Sequence, residues 1–157
     1  VYDKILVPVD GSDASNLGLD EAVKLAKRLG SRLKVIHVVN ELFLAGTDQM
    51  YYDFGALVDS ARENGKKVLE EAQARIKAQG AEAEAELIEC VSARAADIIV
   101  NHAQQWGADL LVLGTHGRRG LRRLALGSDA EMVLRASPIP VLLVRAKTAE
   151  GAGKPKS

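Results

Sequence analysis

"ADLLVLGTHGRRGLRRLALGSDAEMVL" (Ala108–Leu134) decides the fold. Its first part, "ADLLVLG", is a nearly continuous apolar run, the pattern of a parallel strand covered by helices on both faces. The run breaks at Gly114 into a connection rich in glycine and arginine, and helical spacing resumes in "DAEMVLRAS". A buried strand feeding a helix through a glycine loop is one step of a βα alternation, so the rest of the chain should repeat it.

It does so in both directions. Upstream, "KILVPV" (Lys4–Val9) is a short β-branched strand followed by the turn and helix-start cluster "DGSDAS". Leu19, Ala22, Val23, Ala26 and Leu29 then recur at helical spacing, and Gly30 stands where a helix stops. "RLKVIHVV" (Arg32–Val39) is the second strand, and residues 41–56 have no persistent period and read as a long loop. A second helix runs through Leu57, Ala61, Val68, Leu69, Ala72 and Ile76 to Gly80, and Ala85–Val91 is the third strand. A third helix starts at Ser92, turns Ala96, Ile99, Val100 and Ala103 inward and stops at Gly107. Downstream, "PIPVLLVR" is the fifth strand, and residues 147–157 form a polar tail expected to be disordered. The reading is one α/β domain over 1–146, a doubly wound five-stranded parallel sheet with helices on both faces and right-handed crossovers.

Composition narrows the function classes. At 157 residues the chain has the size of one domain, with 47% hydrophobic and 27% charged residues, as in ordinary globular proteins. Lys plus Arg and Asp plus Glu are 21 each, so no overall field draws the chain to nucleic acid or to an anionic membrane. No apolar run has the length of a membrane span, and the first residues lack a signal-peptide core. With Cys90 the single cysteine, no intrachain disulfide can form, and the expected compartment is the cytoplasm.

Ligands of doubly wound sheets bind beyond the carboxyl ends of the strands, where strand order reverses. If strands 2 and 3 lie on one side of strand 1 and strands 4 and 5 on the other, the reversal falls between strands 1 and 4. "PVDGS" and "GTHG" then face one crevice. The spacing G-x2-G-x9-G-S, fixed by Gly114, Gly117, Gly127 and Ser128, lets backbone amides approach an oxygen-rich group without a Cβ in the way. Ser128 stands at an N-cap position, where unpaired amides and the helix dipole favour an anion. Arg118 and Arg119 add permanent donors. The same glycines also suit a strand end and a turn, and Asp10, a carboxylate for ribose or hydrated Mg²⁺, also suits a helix start.

The combination of this spacing with "PVDGS", "GSDAEMVLRASPIPVLLVR" and the order of elements resembles the universal stress protein family from Tyr2 to about Arg145. The resemblance implies an adenine nucleotide alpha-hydrolase-like sheet in the order 3-2-1-4-5. It also implies ATP with Mg²⁺ in the crevice and a homodimer through the last strand, Val141 to Arg145. By position, Asp10 would contact ribose, triphosphate or metal, and Val9 would line the nucleoside pocket beside Pro8, Ser12 and Leu113. Val38 would offer backbone groups to adenine, while Gly114, Gly117, Gly127 and Ser128 would hold phosphates with help from Arg118. Asp129 departs from the small residue usual after Gly-Ser, and its carboxylate competes with phosphate for first-turn amides. No Walker loop occurs in the chain.

Other residues invite readings that are less economical. His116 has no orienting partner in local spacing, His37 reads as a satisfied strand histidine, His102 as a surface residue and Cys90 as a buried one. No metal-site spacing is present, and the arginines around Arg122 and Arg123 lack the aromatic interleaving of a nucleic-acid face. Met50, Tyr51, Tyr52 and Phe54 are candidates for a lid or a subunit contact. The expected function is an ATP-binding, stress-response homodimer with at most slow hydrolysis. Its rivals are a dimeric interaction module without ligand and a nucleotidyl-transferring enzyme, for which the paired-histidine signature is missing.

Overall fold

The computed structural model describes residues 1–41, 54–91, 93–115 and 126–145. Strands and helices alternate throughout: β1 (Lys4–Pro8), α1 (Asp13–Leu29), β2 (Arg32–Asn40), α2 (Phe54–Ala78), β3 (Glu84–Cys90), α3 (Ala95–Trp106), β4 (Leu110–Gly114), α4 (Ser128–Ala136) and β5 (Val141–Val144). All pairings are parallel and the sheet order is β3-β2-β1-β4-β5, as expected from the sequence.

β1 is the centre of the sheet, with Ile5 paired to Leu33 of β2 on one side and to Leu110 of β4 on the other. Side chains alternate across a strand, so each strand feeds two cores. Ile5 and Val7 of β1, Val35 of β2 and Val112 of β4 pack under α1 and α2, against Leu19, Val23, Leu69 and Ile76. Leu6, Ile36, Leu111 and Leu113 point the other way, against Ile99, Ala103 and Val133 of α3 and α4. Burial of each such aliphatic side chain contributes about 1.5–3 kcal/mol, which is why β1 and β4 carry almost no polar atoms.

Helix ends follow local chemistry. Ser12 caps α1, its Oγ accepting the Ser15 amide, and Gly30 ends it at φ 73°, a left-handed conformation that glycine enters without a steric penalty. Four details differ from the sequence reading, the first being that α3 starts at Ala95, after Arg94 as its N-cap, and not at Ser92. Leu29 is 47% exposed rather than inward, because it lies in the last turn, where α1 runs past the sheet beneath it. Phe54, placed in the loop by sequence, opens α2 and is itself 46% exposed. Ser128 is the first helical residue of α4, and the N-cap is Gly127.

Candidate functional site

The strand-order reversal lies between β1 and β4, and both chain segments leaving it are described at their starts. After β1, the Val9 amide donates to Ile36 O at 2.8 Å, and His37 Nδ1 lies 2.8 Å from Val9 O, so His37 is the satisfied strand histidine expected. Gly11 turns the chain at φ 82°. Asp10 Oδ1 accepts the Ser12 amide at 2.9 Å, and the Asp10 amide donates to Ser15 Oγ at 3.1 Å. Asp10 and Ser12 therefore build the start of α1, and one carboxylate oxygen of Asp10 already carries a hydrogen bond.

On the β4 side, Gly114 faces α1. A Cβ there would lie 2.4 Å from Ala14 O and 2.6 Å from its carbonyl carbon, so the side chain is missing because a helix backbone occupies its place. Its φ is not among the positive ones, and Gly127 has φ −58°, so neither glycine uses the left-handed conformation. The next residue, Thr115, is buried. Its amide donates to Val144 O at 3.1 Å, and its carbonyl accepts the Gly127 amide at 2.7 Å, which clasps the end of β4 to the start of α4.

That helix start has no side-chain cap. Gly127 O accepts the Glu131 amide at 2.9 Å, so by helix geometry the amides of Ser128, Asp129 and Ala130 have no intrahelical acceptor. Ser128 and Asp129 are exposed, Ala130 is buried, and the dipole at this end favours an anion. Pro8 and Val38 are half-buried, while Val9 and Leu113 are buried in the two cores. The structure thus gathers Pro8, Asp10, Leu113, Gly114, Gly127, Ser128 and Asp129 at the adjoining ends of β1 and β4, with Val38 on neighbouring β2. Gly117, Arg118, Arg119, Arg122, Arg123 and His116, together with Met50, Tyr51, Tyr52 and Ser92, lie outside the described residues.

A cleft of about 120 Å³ opens beside the same end of β1, on the α1 and α2 face, lined by Val9, Gly11 and Asn16 and by Val68, Glu71, Ala72 and Arg75 of α2. Small-molecule sites typically enclose roughly 300–1,000 Å³, and of the sequence-predicted residues this cleft includes Val9 alone. It is bounded by Arg75, whose guanidinium makes two 2.7 Å bonds to Asp20.

Two clusters had no sequence signal. Lys4 Nζ, Arg32 Cζ and Lys34 Nζ stand 5.3, 5.8 and 5.6 Å from the centroid of the Trp106 ring, within cation–π range. Beside them, His102 is not the surface residue expected: its side chain is 16% exposed, with Nε2 2.9 Å from Glu86 Oε2 but not aligned as a hydrogen bond. Burial, and then the charge of Lys34, hold its imidazole below the ordinary histidine pKa, against the opposing pull of Glu86. Cys90 is buried as expected, its Sγ donating to Ala93 O at 2.8 Å. Among the described residues no cluster of three metal-ligating side chains occurs, and no helix is long and apolar enough to cross a membrane.

Fold and site define a doubly wound parallel α/β chain whose candidate site lies at the reversal of strand order. The model of the universal stress protein family matches residues 1–145. Universal stress protein YxiE of Bacillus subtilis is 34% identical over 92% of this chain and 100% of its own length. A universal stress protein solved in complex with cAMP is 31% identical, with a TM-score of 0.61 over 92% of this chain and 97% of that one. The universal stress protein from Archaeoglobus fulgidus in complex with dAMP is 25% identical, with a TM-score of 0.66 over 91% of this chain and 98% of that one. The chain belongs to the universal stress protein family.

Proposed function

We propose that this chain binds an adenine nucleotide, ATP with Mg²⁺, in the crevice between β1 and β4, and that it acts as a cytoplasmic stress-response homodimer whose surface changes with nucleotide occupancy. The observation that carries the reading is the start of α4 at the strand-order reversal, where three amides without intrahelical acceptors and, among the described residues, without a side-chain cap meet the dipole of the helix. The relatives bound to cAMP and dAMP support the adenine class. Gly114, Gly127, Ser128 and, from the adjoining loop, Gly117 and Arg118 would hold the phosphates. Asp10, whose Oδ1 accepts the Ser12 amide, would face ribose or a phosphate-bound Mg²⁺ through water, and Pro8, Val9, Val38 and Leu113 would line the nucleoside. The metal would neutralise phosphate charge. Phosphoryl transfer also requires a positioned nucleophile and an activator, and the proposed rate of hydrolysis is accordingly slow.

β5 supports the dimer. It is the edge of the sheet, apolar from Val141 to Val144 and followed by exposed Arg145, and an open edge of this kind pairs readily with a second copy. A second reading, a dimer without nucleotide, draws on the packing of Gly114 against Ala14, which accounts for one motif glycine without a ligand. Denaturing the purified protein, analysing the supernatant for adenine nucleotide and titrating ATP with and without Mg²⁺ separates the two. Bound nucleotide or saturable ATP binding is expected; a protein that is empty and ignores ATP is the interaction module. Sedimentation tests the dimer.

A further inference from the structure

We propose that His37 is a positioning residue of the crevice, an inference that rests on the nucleotide reading above: its imidazole takes the carbonyl of Val9 in place of a strand amide, and so ends the β1–β2 ladder short of the ligand. In a parallel ladder a residue donates its amide to one residue of the neighbouring strand and accepts, at its carbonyl, the amide two residues further along. The register Pro8↔Ile36 makes Val9 the next rung. Its amide keeps the pattern, donating to Ile36 O at 2.8 Å, and its carbonyl would then accept the amide of Val38. Among the described residues the ladder is not continued there, and His37 Nδ1 lies 2.8 Å from that carbonyl oxygen. A carbonyl oxygen only accepts, so Nδ1 carries the proton.

A second observation concerns the ring's surroundings. Gly65 is buried in the middle of α2, where glycine weakens a helix. A Cβ there would come within 2.8 Å of His37 Cδ2 and 2.6 Å of Leu87 Cδ1, so the glycine leaves the room that the imidazole and Leu87 fill. With the ring seated under α2, both polar groups of Val9 are fixed one residue before Asp10, whose amide and Oδ1 bond to the start of α1. A backbone rung at Val9 would use the amide of Val38 and carry the ladder one step into the crevice. The side-chain bond fixes Val9 and leaves half-buried Val38 to line the nucleoside.

The test compares H37L, which keeps bulk in the seat without a donor, with H37N, whose amide nitrogen stands as many bonds from Cα as Nδ1 does. In ligand-free protein the Val38 amide is expected to exchange with solvent about tenfold or more slowly in H37L than in wild type, as the ladder closes, and at the wild-type rate in H37N. H37L is expected to bind MgATP and adenosine about fivefold or more weakly, by equal factors because the change lies at the nucleoside, and H37N to stay within about twofold of wild type. Unchanged exchange at Val38 in H37L, or H37N behaving as H37L, overturns the inference. Unchanged affinity of H37L for both ligands overturns the role at the crevice. Should H37L not fold, the ring nitrogens decide: at about pH 8.5, where histidine is ordinarily neutral, ¹⁵N spectra of His37 are expected to show the proton on Nδ1, and a proton on Nε2 overturns the bond. A wild-type chain that binds neither MgATP nor adenosine overturns the nucleotide reading, on which the exchange at Val38 does not depend.

Discussion

Gly114 at the end of β4 lies against Ala14 in the first turn of α1 so closely that a Cβ on Gly114 would stand 2.4 Å from the Ala14 carbonyl oxygen. The approach is mutual within the pair of elements, since a Cβ on Gly18 would come within 3.0 Å of the Gly114 amide nitrogen. Backbone cannot move aside as a flexible side chain does, so G114A forces α1 away from the sheet. Overpacking of this kind costs about 1–3 kcal/mol. Urea denaturation without ligand should show a lower midpoint for G114A; an unchanged midpoint would mean that α1 sits farther from β4 than described.

The Asp20–Arg75 pair joins α1 to α2. Hydrogen bonding from Arg75, outweighing the opposing effect of burial, holds the Asp20 carboxyl below its ordinary pKa. A carboxylate lowered in the folded state adds stability that is present at neutral pH and disappears as the pH falls through roughly 4 and below. The pair is partly exposed, so its worth is on the order of 0.5–1 kcal/mol. R75Q should lose about that much at pH 7 and little at pH 2.5. Equal losses at both pH values would assign Arg75 a packing role instead.

His102 works with the opposite charge. Its folded pKa lies below the ordinary value, first through burial and then through Lys34, so the unfolded chain takes up the proton first. Stability contributed by neutral His102 is therefore full above about pH 6.5 and declines as pH falls below it. H102Q should flatten the stability profile between about pH 5 and 7. A wild-type profile already flat there, or an H102Q profile with the same slope, contradicts this account.

Asp129 is exposed in the first turn of α4, where its charge suits the helix but repels an incoming phosphate. D129A should leave MgATP affinity unchanged or raise it, as read by calorimetry. A large loss would make Asp129 a ligand, through a bridging cation.

Much of this was legible in the chain because period and punctuation carry it. "KILVP" and "LLVLG" are buried on both faces and could be read as parallel strands, and Gly30 and Gly107 marked helix ends at φ 73° and 78°. Leu29 misled because a helical stripe continues one turn beyond the sheet that covers it. His102 misled because Glu86 of β3 and Lys34 of β2 extend over α3 from a sheet that the helix period does not record. Gly114 was readable as a required glycine, but its reason, the backbone of Ala14, belongs to a contact a hundred residues away in sequence.

The central claim is that the first-turn amides of α4 hold the phosphates of an adenine nucleotide. It is tested most directly by following backbone amide resonances of the ¹⁵N-labelled protein during an MgATP titration. The resonances of Ser128, Asp129 and Ala130 should shift in a saturable way, while those of Glu71, Ala72 and Arg75, on the α2 wall of the small cleft, stay in place. Shifts centred on α2, or none at α4, would contradict it.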